Sequence, residues 1–510
     1  MSTQDSVTAP VAPAADKLDG AVLKVAIVVM LGAIMAILDS TVVNVALQTL
    51  TVEFKTSFDT IQWVATGYML ALATVIPITG WASDRFGTKR LYLVAISLFL
   101  IGSMLAGMAW NIESLIIFRV VQGFGGGMLM PAGMTILTRA AGPQRVGRVM
   151  SVLGVPMLLG PIGGPILGGW LVDAVSWRWI FYINVPIGLI TIVLAWRLLP
   201  KDDPEPTGRF DFLGMLMVSP GLAALIYGVS NFPSAGSVTE IKVWLPALAG
   251  IVLLIAFLSR ASRVPNPLID LTLFKNRTFS VSMVTISLFF VAFLGAMLLL
   301  PTYFLLVRGE TALQAGLLLA PQGIGAMLTM PLAGKLSDRI GARQIVLPGL
   351  VAIVVGIIPL TQVTATTPYW LLLGSLFVVG LGMGATMMPI TSAALQTLTV
   401  KDVSKASTAM NIIQQTSGAI GAAVMSIILA GLLGGKFGVP TSQGQLAAVG
   451  AIMNPQTHDV AAGLAADSFS TTFVWALVLL GACLIPAFFL PKRRPAVPAT
   501  EDAAPITMVH

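Results

Sequence analysis

The stretch Gly80-Trp81-Ala82-Ser83-Asp84-Arg85-Phe86-Gly87-Thr88-Lys89-Arg90 returns 254 positions later as Gly334-Lys335-Leu336-Ser337-Asp338-Arg339-Ile340-Gly341-Ala342-Arg343. Each copy is a charged knot bounded by glycines and set between apolar runs. In a chain that is 56% hydrophobic and only 10% charged, the repeat implies a duplicated membrane protein whose two halves meet across a shared path. That is the organisation of a transporter.

Outward from the knots, apolar stretches near the ~20 residues that cross a bilayer lie at about 25–47, 61–81, 91–110, 114–138, 147–170, 179–199, 212–230, 242–259, 279–300, 313–334, 345–363, 369–392, 406–433 and 471–490. The runs are continuous rather than alternating, so the fourteen spans are helices and not barrel strands. With the N-terminus in the cytoplasm, 23 of the 29 basic residues fall on inner segments and five on outer ones, Arg119 lying within a span. This asymmetry fixes the orientation and supports the span count, because one missed helix would scramble every later loop. Both termini are then cytoplasmic, in a multi-pass protein of the cell (inner) membrane.

The knots join spans 2 to 3 and spans 10 to 11, so each half holds six helices and spans 7 and 8 form a hairpin inserted between them. The expected organisation is a disordered cytoplasmic tail at 1–24, an N-terminal six-helix bundle at 25–200, a linker and two-helix insertion at 201–277, a C-terminal six-helix bundle at 278–490 and a cytoplasmic tail at 491–510. A weaker echo pairs Gly123-Phe124-Gly125 in span 4 with Gly380-Leu381-Gly382 in span 12. The longest outer loop, about 434–470, is rich in Gly and Ala and carries no functional signature. No A-x-A cleavage site accompanies the first apolar run, which is therefore expected to remain as a signal anchor.

Composition excludes several classes. The net charge of +7 is scattered in groups of one to four without a stripe or interleaved aromatics, so nucleic acid is not a partner. A single cysteine, Cys483, and two histidines, His458 and His510, exclude a disulfide and argue against a metal site. No phosphate-binding Gly-x-x-x-x-Gly-Lys-[Ser/Thr] loop occurs, which rules out a primary pump in one chain. The spans hold no constellation of His, Cys and acids, and the loops are too short for a catalytic domain, so an enzyme is disfavoured. No cofactor is expected beyond a proton gradient.

Two ionisable residues cannot avoid the membrane: Asp39, past the middle of span 1, and Arg119, about one turn into span 4. Charges at such depth are costly unless they face a cavity or a partner. Burial makes the charged form of a carboxylate costly, which suits such a group to carrying a proton. The alternative is a static Asp39–Arg119 pair that only joins helices. The second half has Leu376 where the echo would place an arginine, an asymmetry that a coupled site needs. In the knot, Asp84 can cap or pair at a neighbouring helix end and meet Arg85, Lys89 or Arg90, while Gly80 and Gly87 allow close approach and a sharp turn. Asp338 and Arg339 repeat the arrangement. Charge pairs at the inner mouth can latch the halves in one state; a loop that merely obeys the inside rule explains the arginines but not the two aspartates. Span 5 carries Gly160, Gly164 and Gly168 every four residues, a flat face for close helix contact, with prolines adding a bend. Ordinary packing accounts for any one of these glycines but not for the density of the run.

At these residues the chain resembles a known family. Gly160-x-x-x-Gly164-Pro165-x-x-Gly168-Gly169 resembles the antiporter signature of drug exporters in the major facilitator superfamily. Leu38-Asp39-Ser40-Thr41-Val42-Val43-Asn44-Val45-Ala46-Leu47 resembles the span 1 signature of its fourteen-helix drug:proton antiporter family, the EmrB/QacA type. Arg119-Val120-Val121-Gln122-Gly123 is similar to the span 4 proton-translocation motif, the Gly80 knot to the superfamily loop motif, and Trp177 to Pro186 to the start of that family's span 6. The resemblance implies proton coupling by Asp39 and Arg119, gating by the knot, and antiport rather than uptake from the glycine helix. Gln48 stands where the family usually has proline and Thr88 where a basic residue is common. Span 10 has no acid, which weakens an expectation of dicationic substrates.

The expected activity is export of lipophilic drugs or related small molecules in exchange for protons by alternating access. The alternative is a dedicated exporter of one natural metabolite, siderophore or lipid. Candidate substrate contacts are Asn44, Trp63, Tyr68, Gln122, Met128 and Phe181, from helices expected to line the first half of a central cavity; lipid contact or packing is the competing role for each aromatic or methionine. Large apolar cavities with few polar anchors favour broad lipophilic ligands, and the 24 methionines suit an adaptable lining. Relatives of one branch work with a periplasmic adaptor protein, and nothing in this sequence shows such a docking surface.

Overall fold

The computed structural model describes residues 19–56, 58–142, 145–201, 210–231, 240–265, 267–399 and 402–492. Residues 1–18 and 493–510 of the expected tails and most of the linker after span 6 lie outside them, whereas residues 20–24, expected in the N-terminal tail, begin the first helix. Fourteen long helices follow the fourteen spans: α1 (Gly20–Glu53), α2 (Trp63–Phe86), α3 (Thr88–Gly107), α4 (Ile112–Ala141), α5 (Val146–Ala174), α6 (Asn184–Leu198), α7 (Phe212–Ser230), α8 (Ile241–Ala261), α9 (Arg277–Leu306), α10 (Ala320–Ile340), α11 (Ala342–Ile357), α12 (Tyr369–Gln396), α13 (Val403–Phe437) and α14 (His458–Ala487). Short helices at Trp179–Tyr182 and Ala312–Leu318 lead into α6 and α10. Thirteen of these segments are long and apolar enough to cross a membrane. The remaining one, α5, is 29 residues long with Arg148 and Asp173 as its only charged residues.

The helices begin where their sequences say they can. Asn111 and Ser114 form a reciprocal capping box at the start of α4, and Asn276 accepts from Phe279 at the start of α9, so that orphan N–H groups are bonded. Prolines within helices, such as Pro77 and Pro131, are accommodated because neighbouring helices surround the freed carbonyls.

The repeat is visible in the backbone itself. Gly87, the single residue between α2 and α3, has φ 85° and ψ 145°, and Gly341, between α10 and α11, has φ 99° and ψ 149°. Both positions need a positive φ that a Cβ would strain. Packing repeats as well: α1 lies against α5 as α9 lies against α13, and α4 against α2 and α3 as α12 against α10 and α11. The result is two six-helix bundles in contact through α5 with α10 and through α2 with α13. The inserted α7–α8 hairpin rests on α2, where Trp63 stacks on Tyr227 with ring centroids 5.6 Å apart, Trp81 meets Phe210 at 4.6 Å and Ser219 donates to the Thr74 carbonyl at 2.6 Å.

One expectation is corrected. The long outer loop at 434–470 is mostly helical: α13 continues to Phe437, a ten-residue helix occupies Gly444–Met453, and α14 begins at His458. The alanines of this Gly- and Ala-rich stretch have high helix propensity, and the shortness of its apolar runs hid the helices from a count based on spans.

Candidate functional site

Asp39 and Arg119 meet. Arg119 Nη1 lies 2.5 Å from Asp39 Oδ2, and both side chains are closed to solvent. Gln122 Nε2 and Asn184 Nδ2 donate to the other carboxylate oxygen at 2.7 and 2.9 Å, and Gln122 Oε1 accepts from Arg119 at 2.7 Å. Arg119 Nε also donates to the Val64 carbonyl. Four helices, α1, α2, α4 and α6, thus hold a network in which the carboxylate and the guanidinium compensate each other, as deep burial requires. Asn184 lies in the quoted span 6 motif but carries no charge to single it out. Its carboxamide is held in turn by Ser103 Oγ at 3.0 Å.

A cavity of about 280 Å³ opens beside this network, between the bundles. The network reaches its wall through Tyr68, whose ring lies under the Arg119 guanidinium at 4.2 Å from centroid to Cζ. A Cβ at Gly126 would come within 2.7 Å of the Tyr68 hydroxyl, so the absent side chain makes room for the ring. Ser40, Thr41 and Met130 complete the first-half face; Phe289, Phe293, Met383, Met387, Asn411 and Gln414 stand on the second. A further lobe of about 430 Å³ shares Ser40, Tyr68 and Gln415 and runs between α2 and α13 towards Ile226 and Val229 of α7.

Of the five residues proposed for substrate contact whose surroundings are described, Tyr68 is the one brought to the cavity wall. Gln122 and Phe181 are buried behind it, the first on Asp39 and the second with its ring 5.6 Å from the Arg119 Cζ. Met128 points into the helix core, and Trp63 is 40% exposed on the hairpin side. Asn44, Gly160 and Pro165 lie in their helices but outside the residues whose surroundings are described. The second-half carboxamides Asn411, Gln414 and Gln415 were not singled out from sequence. Three amides within five residues of an otherwise apolar span were the available signal.

The knots dock across the seam. Asp84 pairs with Arg139 of α4 at 3.2 Å and accepts from Ser404, at the start of α13, at 2.6 Å. Its arginine comes from α4 rather than from the knot: Arg85 and Arg90 are exposed, and Lys89 donates to the carbonyls of Trp196 and Leu199 at the end of α6 at 2.7 and 2.6 Å. There an ammonium complements the helix C-terminus. Gly80 lies against α13, where a Cβ would be 2.9 Å from Thr408 Oγ1. In the second half, Asp338 accepts from the N–H groups of Gly147 and Arg148 at 3.0 and 3.1 Å, in the first turn of α5, and from Gln396 at 2.7 Å. A Cβ at Gly147 would lie 2.8 Å from the Gly334 carbonyl. Arg339 is exposed.

Within the glycine helix, Gly164 and Gly168 face α1. A Cβ at Gly164 would fall 2.2 Å from Thr41 Oγ1, and one at Gly168 would fall 3.1 Å from the Val42 carbonyl, whereas Gly169 has nothing within 4 Å. The flat face therefore seals α5 to the helix that carries Asp39.

Two like bundles joined by cross-seam contacts around a central cavity define a multi-pass membrane transporter. A family profile of the Major Facilitator Superfamily matches residues 29–426, and the chain belongs to that superfamily. It is 44% identical over 507 residues to a multidrug resistance protein B homolog of Mycobacterium tuberculosis, covering 96% of this chain and 93% of that one. It is 32% identical to the multidrug export protein EmrB of Haemophilus influenzae, covering 80% and 81%. These relatives bear out the expected EmrB type. The crystal structure of the human organic anion transporter MFSD10 superposes with a TM-score of 0.60 at 13% identity, over 90% of this chain and 99% of that one, a likeness of fold.

Proposed function

We propose that the protein exports lipophilic small molecules across the cytoplasmic membrane in exchange for protons, by alternating access between the two bundles. The observation that carries this reading is the Asp39–Arg119 network, set one side chain behind the cavity wall. Protonation of Asp39 removes the partner of Arg119, and the guanidinium lies over Tyr68, so a change of charge is felt where cargo binds. The multidrug resistance and export names of its relatives support the cargo class.

In this mechanism residues 25–200 and 278–490 move as two units, the segment 201–277 connects them, and both termini face the cytoplasm. Asp84 and Asp338 hold the inner mouth shut and release it when the bundles rock. Gly164 and Gly168 keep α5 on α1, which favours antiport over leak. Asp39 is protonated from outside, cargo is displaced, and the proton leaves inwards. Purified protein in liposomes with an imposed pH gradient tests the reading: a panel of lipophilic compounds is expected to include members whose addition drives proton movement. A panel with none would sink it.

A further inference from the structure

We propose that the central cavity takes an uncharged, flat aromatic cargo bearing a hydrogen-bonding heteroatom, held between the Tyr68 hydroxyl of the first half and the Gln414 carboxamide of the second. The proposal rests on the export reading only in taking this cavity as the cargo site.

Charge comes first. None of the described residues lining the cavity or its lateral lobe is Asp, Glu, Lys, Arg or His. A cation placed there would lose its hydration without gaining a counter-ion. The nearest carboxylate, Asp39, already receives Arg119 on one oxygen and two carboxamides on the other, so it has no charge left to offer.

Polar satisfaction comes second. Gln414 is only 8% exposed and lines the cavity from the second half. The Tyr68 hydroxyl is buried and without a partner. Nearly all buried polar groups in folded proteins are bonded, and exceptions call for an explanation. The Tyr68 hydroxyl is such an exception on the first-half wall, and it is explained by a ligand group that bonds it and reaches the Gln414 carboxamide on the opposite wall. A carboxamide and a phenol each donate and accept, which suits a neutral heteroatom of either sense.

Shape comes third. The Phe289 and Phe293 rings both line the cavity and are stacked, with centroids 5.1 Å apart and planes 7° from parallel, a stack that a further flat ring can extend. Met130, Met297, Met383 and Met387 surround it, and thioethers adapt to aromatic edges of varied outline.

The test uses phenanthridine, uncharged at neutral pH, and N-methylphenanthridinium, which adds one methyl group and a fixed charge. Equilibrium binding of both to the purified full chain is followed by fluorescence, without any gradient. Phenanthridine is expected to bind at least about tenfold tighter than the cation. Gln414→Leu and Tyr68→Phe should each weaken it by about tenfold, the loss of one buried hydrogen bond. Gln414→Glu should shift the preference towards the cation, and Gln414→Asn should retain part of the neutral affinity, an outcome that a purely structural role would not produce. Equal or tighter binding of the cation by the unaltered protein, neutral binding indifferent to both variants, or binding of neither probe overturns the proposal. The export reading fails separately: if phenanthridine binds in the expected pattern but no compound moves with the pH gradient, the site assignment stands and antiport does not.

Discussion

Neither Asp39 nor Arg119 can change charge without disturbing the other, because they touch in a place that water does not reach. Asp39→Asn is therefore expected to fold but to leave the guanidinium with amide partners only. Breaking one side of such a buried pair costs about 3–5 kcal/mol, read as a lower thermal midpoint, and proton-driven efflux should be lost. Adding Arg119→Gln should recover most of the stability and none of the efflux, since stability follows the pairing and coupling follows the proton. Efflux retained in full by Asp39→Asn would remove this residue from the mechanism. A second residue-scale contrast comes from α5. Gly164→Val drives a side chain into Thr41 and should separate α5 from α1, with loss of both thermal stability and transport. Gly169→Ala, with open space around its Cβ, should be tolerated; equal damage by both would show that the flat face is not what matters.

At the scale of elements, each knot sends its aspartate across the seam to the other bundle. Asp84 combines an arginine from α4 with a hydroxyl at the start of α13, while Asp338 combines a glutamine from α12 with two N–H groups at the start of α5. A carboxylate that caps a helix N-terminus contributes about 1 kcal/mol, so on the reading proposed above Asp338 would bias the closed inner mouth roughly fivefold. Asp84→Asn with Asp338→Asn should open it. The sole cysteine, Cys483, is buried, which leaves a clean background for a reporter such as Met387→Cys in the cavity wall. Thiol labelling of that reporter from the cytoplasmic side should rise severalfold in the double variant; an unchanged rate would show that the aspartates do not latch. Arg139 illustrates why this pairing was not legible. Its position marks it only as one of many inner-loop cations, and nothing in the chain order says that it faces an aspartate 55 residues away.

For the whole molecule, the charge of the cargo decides the energetics of the cycle. If an uncharged molecule leaves as a proton enters, each turnover moves net positive charge inwards. The membrane potential then contributes about 2.3 kcal/mol per 100 mV for each charge. A potassium diffusion potential, negative inside and without a pH gradient, should therefore drive export of a neutral probe. Insensitivity to potential would mean electroneutral exchange, as for a monovalent cation traded against one proton, and would count against the uncharged cargo.

The sequence by itself determined the number of spans, the duplication and the pair of buried charges. Each of these follows from local hydropathy or from a glycine whose positive φ is needed twice. The tertiary structure decided which side chains meet. It sent Gln122 and Phe181 behind the wall, left Tyr68 on it, brought Gln414 from the other bundle to face it, and gave Asp84 its arginine. Those outcomes depend on the rotation of each helix about its axis and on contacts between residues far apart in the chain. In a span that is apolar all round, hydropathy marks no face, so only packing could settle them.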